Sequence, residues 1–186
     1  MKCVRCGFSS SKGGRSYMEE VASVWDYSQS SENNNNNNNN NKFFFGVFDG
    51  HGGSNVSMSL AQDFPIVLKN QQKFEIDTLS SLQQAWIEME ELCKIKLQKI
   101  AINNKLNNLP PDGSTAVVVL IDNNNIYITN CGDSSCYSIT RKGIFTICTE
   151  DHGTLNSDEI QRIKTCLLYT SPSPRDRTRS RMPSSA

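Results

Sequence analysis

The spacing of apolar residues predicts two helices in the middle of the chain. The first helix follows from four apolar residues that recur at every fourth position: Val56, Leu60, Phe64 and Leu68. Pro65 lies within this stretch and is the point at which the helix can kink. A second helix is predicted over about 78–101, where apolar spacings alternate between three and four. Such stripes are typical of core faces, so we assign them no function.

Strand-like runs lie on both sides of these helices. The segments "EEVASVWDYS" (19–28) and "KFFFGVFDG" (42–50) precede them. After them, "TAVVVLI" (115–121) is apolar enough for a strand buried on both faces, and "IYITN" (126–130) completes a hairpin. A second hairpin is predicted over 135–149. This order predicts an α+β protein with helices packed on a mostly antiparallel sheet, one face of which would lack cover.

Composition changes at two places and suggests the domain limits. The unbroken run Asn33 to Asn41 is expected to be a looped insertion between neighbouring strands. From 166 to 186 asparagine is absent, and prolines and serines are interspersed with arginines. We interpret 166–186 as a non-homologous tail that resembles translated adaptor sequence, the alternative being a genuine disordered basic tail. Residues 1–165 would then form the N-terminal part of a domain.

Charge and cysteine content narrow the class of protein. Nineteen basic residues balance nineteen acidic ones, so the sequence does not indicate a nucleic-acid or membrane partner, and we expect a monomer. The odd number of cysteines, seven, indicates reduced thiols. We therefore expect the protein in the cytoplasm, with the nucleus as an additional location. Cys3 and Cys6 have the spacing of zinc ligands, but no second pair follows them. An ordinary strand edge is therefore the favoured interpretation there.

Acidic residues lie at or next to the ends of three predicted strands. Asp49 ends an apolar strand and is followed by glycines and His51 in "DGHGG". Glu19 and Glu20 are adjacent, so in a strand they would point to opposite faces. Asp133 follows another strand in "CGDSS". Such an oxygen-only set suits Mg²⁺ or Mn²⁺ better than zinc or copper.

A candidate for phosphate binding lies close to these acids in the sequence. Arg15 precedes the pair of glutamates by a few residues, and arginine is well suited to bidentate binding of a phosphate group. A histidine near a metal site can donate a proton to a leaving group. Together, the metal ligands, the arginine and the histidine suggest metal-assisted hydrolysis of a phosphoester.

Four motifs in this order resemble the N-terminal part of a known family. The segments "GGRSYMEE", "FFFGVFDGHGG", "DGSTAVVVLIDNNNIYITNCGDSS" and "TEDHGTLNSDEIQRI" are similar to successive motifs of the PP2C (PPM-type) metal-dependent protein serine/threonine phosphatases. The resemblance covers roughly 7–163 and implies a β-sandwich of two antiparallel sheets flanked by helix pairs. It further implies two Mg²⁺ or Mn²⁺ ions per complete site and phosphorylated proteins as substrates.

The resemblance also implies roles for individual residues. Asp49 would bridge the two metals, the Gly50 carbonyl would contribute to one of them, and Glu19 would help to hold the second. Glu20 would be the second acid of the motif, and Asp133 would bind a weaker third metal. Arg15 would bind the phosphoryl group, and His51 would be the general acid. His152 has no comparable neighbour, and we interpret it as structural.

Departures from the family pattern leave an alternative open. Glu20 stands where the family usually has aspartate, and Ser135 where arginine is common. Family domains continue beyond the "DH" motif to further metal-binding aspartates, so we expect this chain to hold about the first half of the domain and to be poorly active. The alternative is a catalytically inactive pseudophosphatase that binds phosphoproteins or regulates them.

Overall fold

The computed structural model describes residues 5–28, 41–153 and 155–165. The predictions for most of the Asn33–Asn41 run and for the tail 166–186 lie outside the described residues. The chain divides into two compact units, residues 1–151 and 152–186. No helix among the described residues is long and apolar enough to span a membrane.

The first unit contains eight strands and two long helices among its described residues. The strands are β1 (Val21–Asp26), β2 (Lys42–Phe48), β3 (Gly50–His51), β4 (Gly113–Ser114), β5 (Ala116–Asp122), β6 (Asn125–Cys131), β7 (Tyr137–Ile139) and β8 (Phe145–Ile147). The helices are α1 (Asn55–Lys69) and α2 (Thr78–Asn103), and the second unit adds α3 (Ser157–Thr165). Both predicted helices are confirmed, with Pro65 inside α1.

The main sheet has four antiparallel strands in the order β1-β2-β5-β6. Two smaller antiparallel ladders join β3 to β4 and β7 to β8. β1 and β2 are direct neighbours, with Asp26 opposite Phe43, so the segments on either side of the asparagine run pair as predicted. The α+β class with antiparallel sheets is thereby confirmed.

The two helices cover one face of the main sheet. Its core side chains come from β2, β5 and both helices and are almost completely buried: Phe44, Phe48, Phe64, Leu68, Leu82, Met89 and Leu120. The prediction that 115–121 is buried on both faces holds only in part. Val118 is 1% exposed on the helix side, whereas Val119 and Ile121 on the other face are half-buried.

A buried cation fixes the start of β2 against the helices. The side chain of Lys42 is only 4% exposed. Its Nζ donates a hydrogen bond to the Phe74 carbonyl oxygen and lies 4.4 Å from the centre of the Phe74 ring. Carboxylate oxygens of Glu75 and Asp122 are each 3.5 Å from the same nitrogen. The sequence pattern did not predict this cluster, because an isolated lysine usually lies in solvent.

Candidate active site

The backbone of Asp49 is held on both sides by Thr115. The Asp49 amide donates to Thr115 Oγ1 at 3.3 Å, and the Thr115 amide donates to the Asp49 carbonyl oxygen at 2.9 Å. The Asp49 side chain is half-buried, and no described residue donates a hydrogen bond to its carboxylate. A carboxylate with a fixed backbone and unused oxygen lone pairs is well placed to bind a cation.

The glycines after Asp49 allow neighbouring chain segments to approach closely. A Cβ on Gly50 would lie 2.6 Å from the Glu19 carbonyl oxygen and 2.8 Å from Ser57 Oγ, too close for any side chain. Gly52 has a φ of +71°, a conformation that L side chains rarely adopt, and a Cβ there would overlap with the Pro111 carbonyl. The loop therefore requires glycine at both positions.

Glu19 contacts this glycine loop through both its side chain and its backbone. Glu19 is 8% exposed, and its Oε1 accepts a hydrogen bond from the Gly53 amide at 2.7 Å. Its carbonyl oxygen accepts from Ser57 Oγ at 2.6 Å and from the Gly50 amide at 3.3 Å. These contacts attach the segment before β1 to the loop after β2, so the structure brings Glu19 to the loop that carries Asp49.

Arg15 and Glu20 occupy different surroundings. Arg15 is exposed, and its Nη1 lies 3.6 Å from Glu19 Oε2, so the arginine stands at the solvent side of the loop. Glu20 lines a groove of about 270 Å³ together with Phe8 and Val47, and none of the groove residues belongs to the Asp49 loop. Adjacent glutamates thus face different ways, as alternation along an extended chain requires.

His51 lies on the short strand β3, opposite Gly113 of β4. The residue is exposed, and its imidazole ring covers Gly113 so closely that a Cβ there would overlap with it. The sequence between α2 and β5 therefore forms one wall of the loop and sets the position of the histidine.

Asp133 is linked to the Asp49 loop through its neighbour Ser134. Ser134 Oγ and Thr115 Oγ1 are 2.5 Å apart, and Thr115 in turn holds the Asp49 backbone. Asp133 itself is exposed. The two acidic loops are therefore adjacent, although no direct contact joins the two carboxylates.

Two residues that organise this region were missed at the sequence level. Asp112 Oδ1 accepts hydrogen bonds from the backbone and side-chain nitrogens of Asn55, each at 3.0 Å, and so holds the first residue of α1. Thr115 joins the Asp49 and Ser134 loops. Both belong to the motif "DGSTAVVVLIDNNNIYITNCGDSS", in which neither is assigned a role from the sequence, because their contacts depend on residues about 60 positions away.

The donor set suits a hard cation but is incomplete within the described ranges. Across residues 5–28, 41–153 and 155–165, no three His, Cys, Asp or Glu side chains form a cluster that could hold a metal. The ligands available are the Asp49 and Glu19 carboxylates and backbone carbonyls, all of them oxygens, which agrees with Mg²⁺ or Mn²⁺ chemistry. These residues fit part of such a site.

Comparison with known proteins agrees with the four motifs. "Probable protein phosphatase 2C 55" of rice (Oryza sativa subsp. japonica) is 30% identical over 158 residues, which are 85% of this chain and 38% of that protein. "Probable protein phosphatase 2C 76" of Arabidopsis thaliana is 28% identical over 86% of this chain and 34% of its own length. This chain therefore spans little more than a third of these relatives.

A solved structure and a family model complete the comparison. The structure titled "Structure of a C.elegans sex determining protein" aligns with a TM-score of 0.57 and 22% identity, over 81% of this chain and 35% of that one. At that identity the match supports the fold alone. The model of the family "Protein phosphatase 2C" matches residues 4–175. The chain belongs to the protein phosphatase 2C family.

Proposed function

We propose that this chain contributes part of the site of a metal-dependent protein serine/threonine phosphatase, with phosphoserine and phosphothreonine proteins as substrates. Family membership supports the reaction class. The observation that carries the proposal is Asp49, whose backbone is fixed by Thr115 while no described residue binds its carboxylate.

Asp49, Glu19 and the Gly50 carbonyl would hold the metals, with Glu20 as the second acid and Asp133 at a weaker third metal, as the resemblance implies. When bound, Mg²⁺ or Mn²⁺ would supply positive charge for the phosphate oxygens and activate water for in-line attack on phosphorus. Gly50 has no room for a Cβ, so the loop that carries Asp49 packs directly on Glu19 and Ser57. We also propose that this chain has little activity without further ligands.

Arg15 and His51 would act on the substrate. Arg15 is exposed at the edge of the loop, where its guanidinium can bind a phosphoryl group in bidentate fashion. Its contact with Glu19 at 3.6 Å is long enough to be shared with an incoming anion. His51 is exposed and anchored over Gly113, so it can donate a proton to the departing serine or threonine oxygen.

The same proposal extends to the binding partners of the protein and to its compartment in the cell. Phosphorylated proteins are the expected partners, and the protein would act as a monomer without nucleic acid or membrane. A cytoplasmic, and in addition nuclear, location is supported by the free thiols of the described cysteines.

The first experiment measures Mn²⁺ binding and phosphate release with Asp49→Asn. Mn²⁺ binding is followed by electron paramagnetic resonance in this chain, and phosphate release from a phosphothreonine peptide in this chain and in the longest reading frame that contains it. We expect D49N to weaken Mn²⁺ binding and to reduce any phosphate release by more than about 100-fold, because it removes a charged ligand. Asp158→Asn, an exposed acid in α3, is the matched control.

The outcomes separate the enzyme from the pseudophosphatase. Unchanged Mn²⁺-dependent phosphate release in D49N would show the assignment of Asp49 to be wrong. Binding of the phosphopeptide without metal-dependent turnover in either polypeptide would favour the regulatory module instead. A His51→Gln variant that retains Mn²⁺ binding but loses about 10²- to 10⁴-fold in turnover would support the general acid.

A further inference from the structure

Two cysteines face each other at the base of the β7–β8 hairpin. β7 and β8 pair with Tyr137 opposite Ile147, which places Cys136 directly opposite Cys148 one position further along. The Cys148 amide donates to the Cys136 carbonyl oxygen at 2.8 Å, so one backbone hydrogen bond joins this pair just beyond the end of the ladder. We propose that Cys136 and Cys148 form a reversible oxidation site, which hydrogen peroxide converts to an intramolecular disulfide.

The backbone spacing of such a pair suits a disulfide. Directly opposite residues in antiparallel strands have Cα atoms about 4.5 to 5.5 Å apart. Disulfides span Cα separations of about 4.4 to 6.8 Å. Burial first, and then the neighbouring Cys148 thiol, raise the pKa of the Cys136 thiol. Both residues are only half-buried, so a small oxidant can reach the sulfur atoms.

The other described cysteines have no comparable arrangement. Cys93 lies on the helix α2 beside Ser59 and not in a strand ladder. Cys131 is opposite Ala116 in the main sheet, in a different ladder from the hairpin. Cys6 is exposed near the N-terminal end of the described residues. Among the described cysteines, only Cys136 and Cys148 lie opposite each other across neighbouring strand ends.

The oxidation balances with one equivalent of hydrogen peroxide. One thiolate sulfur attacks a peroxide oxygen, the O–O bond breaks, and a sulfenic acid and hydroxide result. The second sulfur then attacks the sulfenic sulfur, the S–S bond forms, and the displaced hydroxide takes up a proton to leave as water. The sum is two thiols and one peroxide to one disulfide and two waters, and a dithiol reductant reverses it.

The hairpin base adjoins the loops of the candidate active site. The Cys136 amide donates a hydrogen bond to Thr149 Oγ1 at 2.9 Å, and Ser135 Oγ donates one to Asp151 Oδ1 at 3.3 Å. Ser134, two residues before Cys136, contacts Thr115. A disulfide would therefore fix the base of the hairpin that follows the Asp133 loop. The oxidation itself does not depend on phosphatase activity.

The test maps disulfides in the folded wild-type chain after peroxide treatment. Remaining thiols are alkylated, and the chain is digested with trypsin and with a protease that cleaves before aspartate. Trypsin cleaves after Arg141 and Lys142, which separates the two cysteines, and cleavage before Asp133 separates Cys131 from Cys136. We expect a linked Cys136–Cys148 peptide that is lighter than the reduced pair by two hydrogen atoms and disappears on reduction.

Matched variants identify the partner thiols. We expect Cys131→Ser and Cys93→Ser to retain the link, and Cys148→Ser to lose it. The yield should be independent of protein concentration, as for an intramolecular reaction. The proposal is overturned if peroxide leaves both thiols free to alkylate, or oxidises them to sulfinic acid without a link. It is also overturned if Cys136 or Cys148 is linked mainly to Cys131 or to a second chain. Because the wild-type map decides, a variant that fails to fold does not affect the result.

Discussion

The two faces of the main sheet are built from the same strands but differ in burial, although Val117 on the outer face is also buried, at 6% exposed. On the face covered by α1 and α2, Phe44 and Leu120 are fully buried. On the opposite face, Phe45 is half-buried, and Val24 and Val47 are 53% and 52% exposed. Alternation along β1, β2 and β5 assigns successive apolar residues to the two faces. The sequence is therefore apolar on both sides, while the described helices cover only one.

An antiparallel sheet with one solvated face usually places polar residues on that face. Here the outer face remains apolar, which is typical of a sheet packed in a sandwich. Among the described residues, the start of the β7 segment reaches this face. There Ser134, Ser135, Cys136 and Tyr137 line a groove of about 250 Å³ with Phe45, Val47, Val117 and Val119. Burial on each face is thus decided by what packs on it, not by the strands themselves.

The largest predicted effect distinguishes two adjacent phenylalanines. Phe44→Ala should lower the free energy of unfolding by about 3–5 kcal/mol, because it leaves a cavity between β2 and Phe64, whose ring centre is 5.7 Å away. Phe45→Ala on the outer face should cost less than half as much, since part of that side chain already contacts water. Urea unfolding of both variants checks the difference. Equal losses would mean that both faces are equally covered in solution.

The local elements were predictable because their patterns are local. Helical periodicity predicted α1 without bounds and α2 to within two residues, and the strand runs gave all four strands of the main sheet. The unequal covering of Val118 and Val119 could not be predicted, because an unbroken apolar run has no polar residue to mark the open face.

The candidate site was predictable only where a residue type has distinctive chemistry. The acids, Arg15 and His51 were proposed from the chemistry of their side chains and from the family resemblance. Thr115 and Asp112 were missed, because their importance lies in hydrogen bonds to segments about 60 residues distant. The roles of the acids, Arg15 and His51 in a site remain predictions. The described residues supply only part of a metal cluster.

The next prediction concerns the buried cation on the covered face. Lys42→Met should lower the free energy of unfolding by about 2–3 kcal/mol, because Asp122 and the Phe74 carbonyl would lose a charged partner. The loss stays below the range for a fully buried pair because Thr78 Oγ1 still donates to Asp122 at 2.6 Å. Lys96→Met, which removes a 40% exposed partner of Asp63, is the control and should cost less than about 1 kcal/mol. Thermal unfolding that ranks the two variants in the reverse order would contradict this account.

A smaller effect is expected at the start of the covering helix α2. Asp77 is its N-cap, and its side chain accepts a hydrogen bond from the Ser80 amide at 3.0 Å. Asp77→Ala should cost about 1 kcal/mol, and Asp77→Asn should restore most of that loss, because asparagine is also a good N-cap. Circular dichroism during urea unfolding measures both. If the asparagine variant is as unstable as the alanine variant, charge and not capping explains the role of Asp77.

The smallest effect is expected on the open face. Val24 is 53% exposed, and Val24→Thr replaces one of its methyl groups with a hydroxyl that can bind water. The free energy of unfolding should therefore change by no more than about 0.5 kcal/mol. Val118→Thr makes the same exchange on the covered face, where the side chain is 1% exposed, and should cost about 1–3 kcal/mol for the buried hydroxyl. Urea midpoints of the two variants, measured side by side, give the comparison. A loss at Val24 as large as that at Val118 would show that this edge of the outer face is buried in solution, and the contrast between the faces would then have to be abandoned at β1.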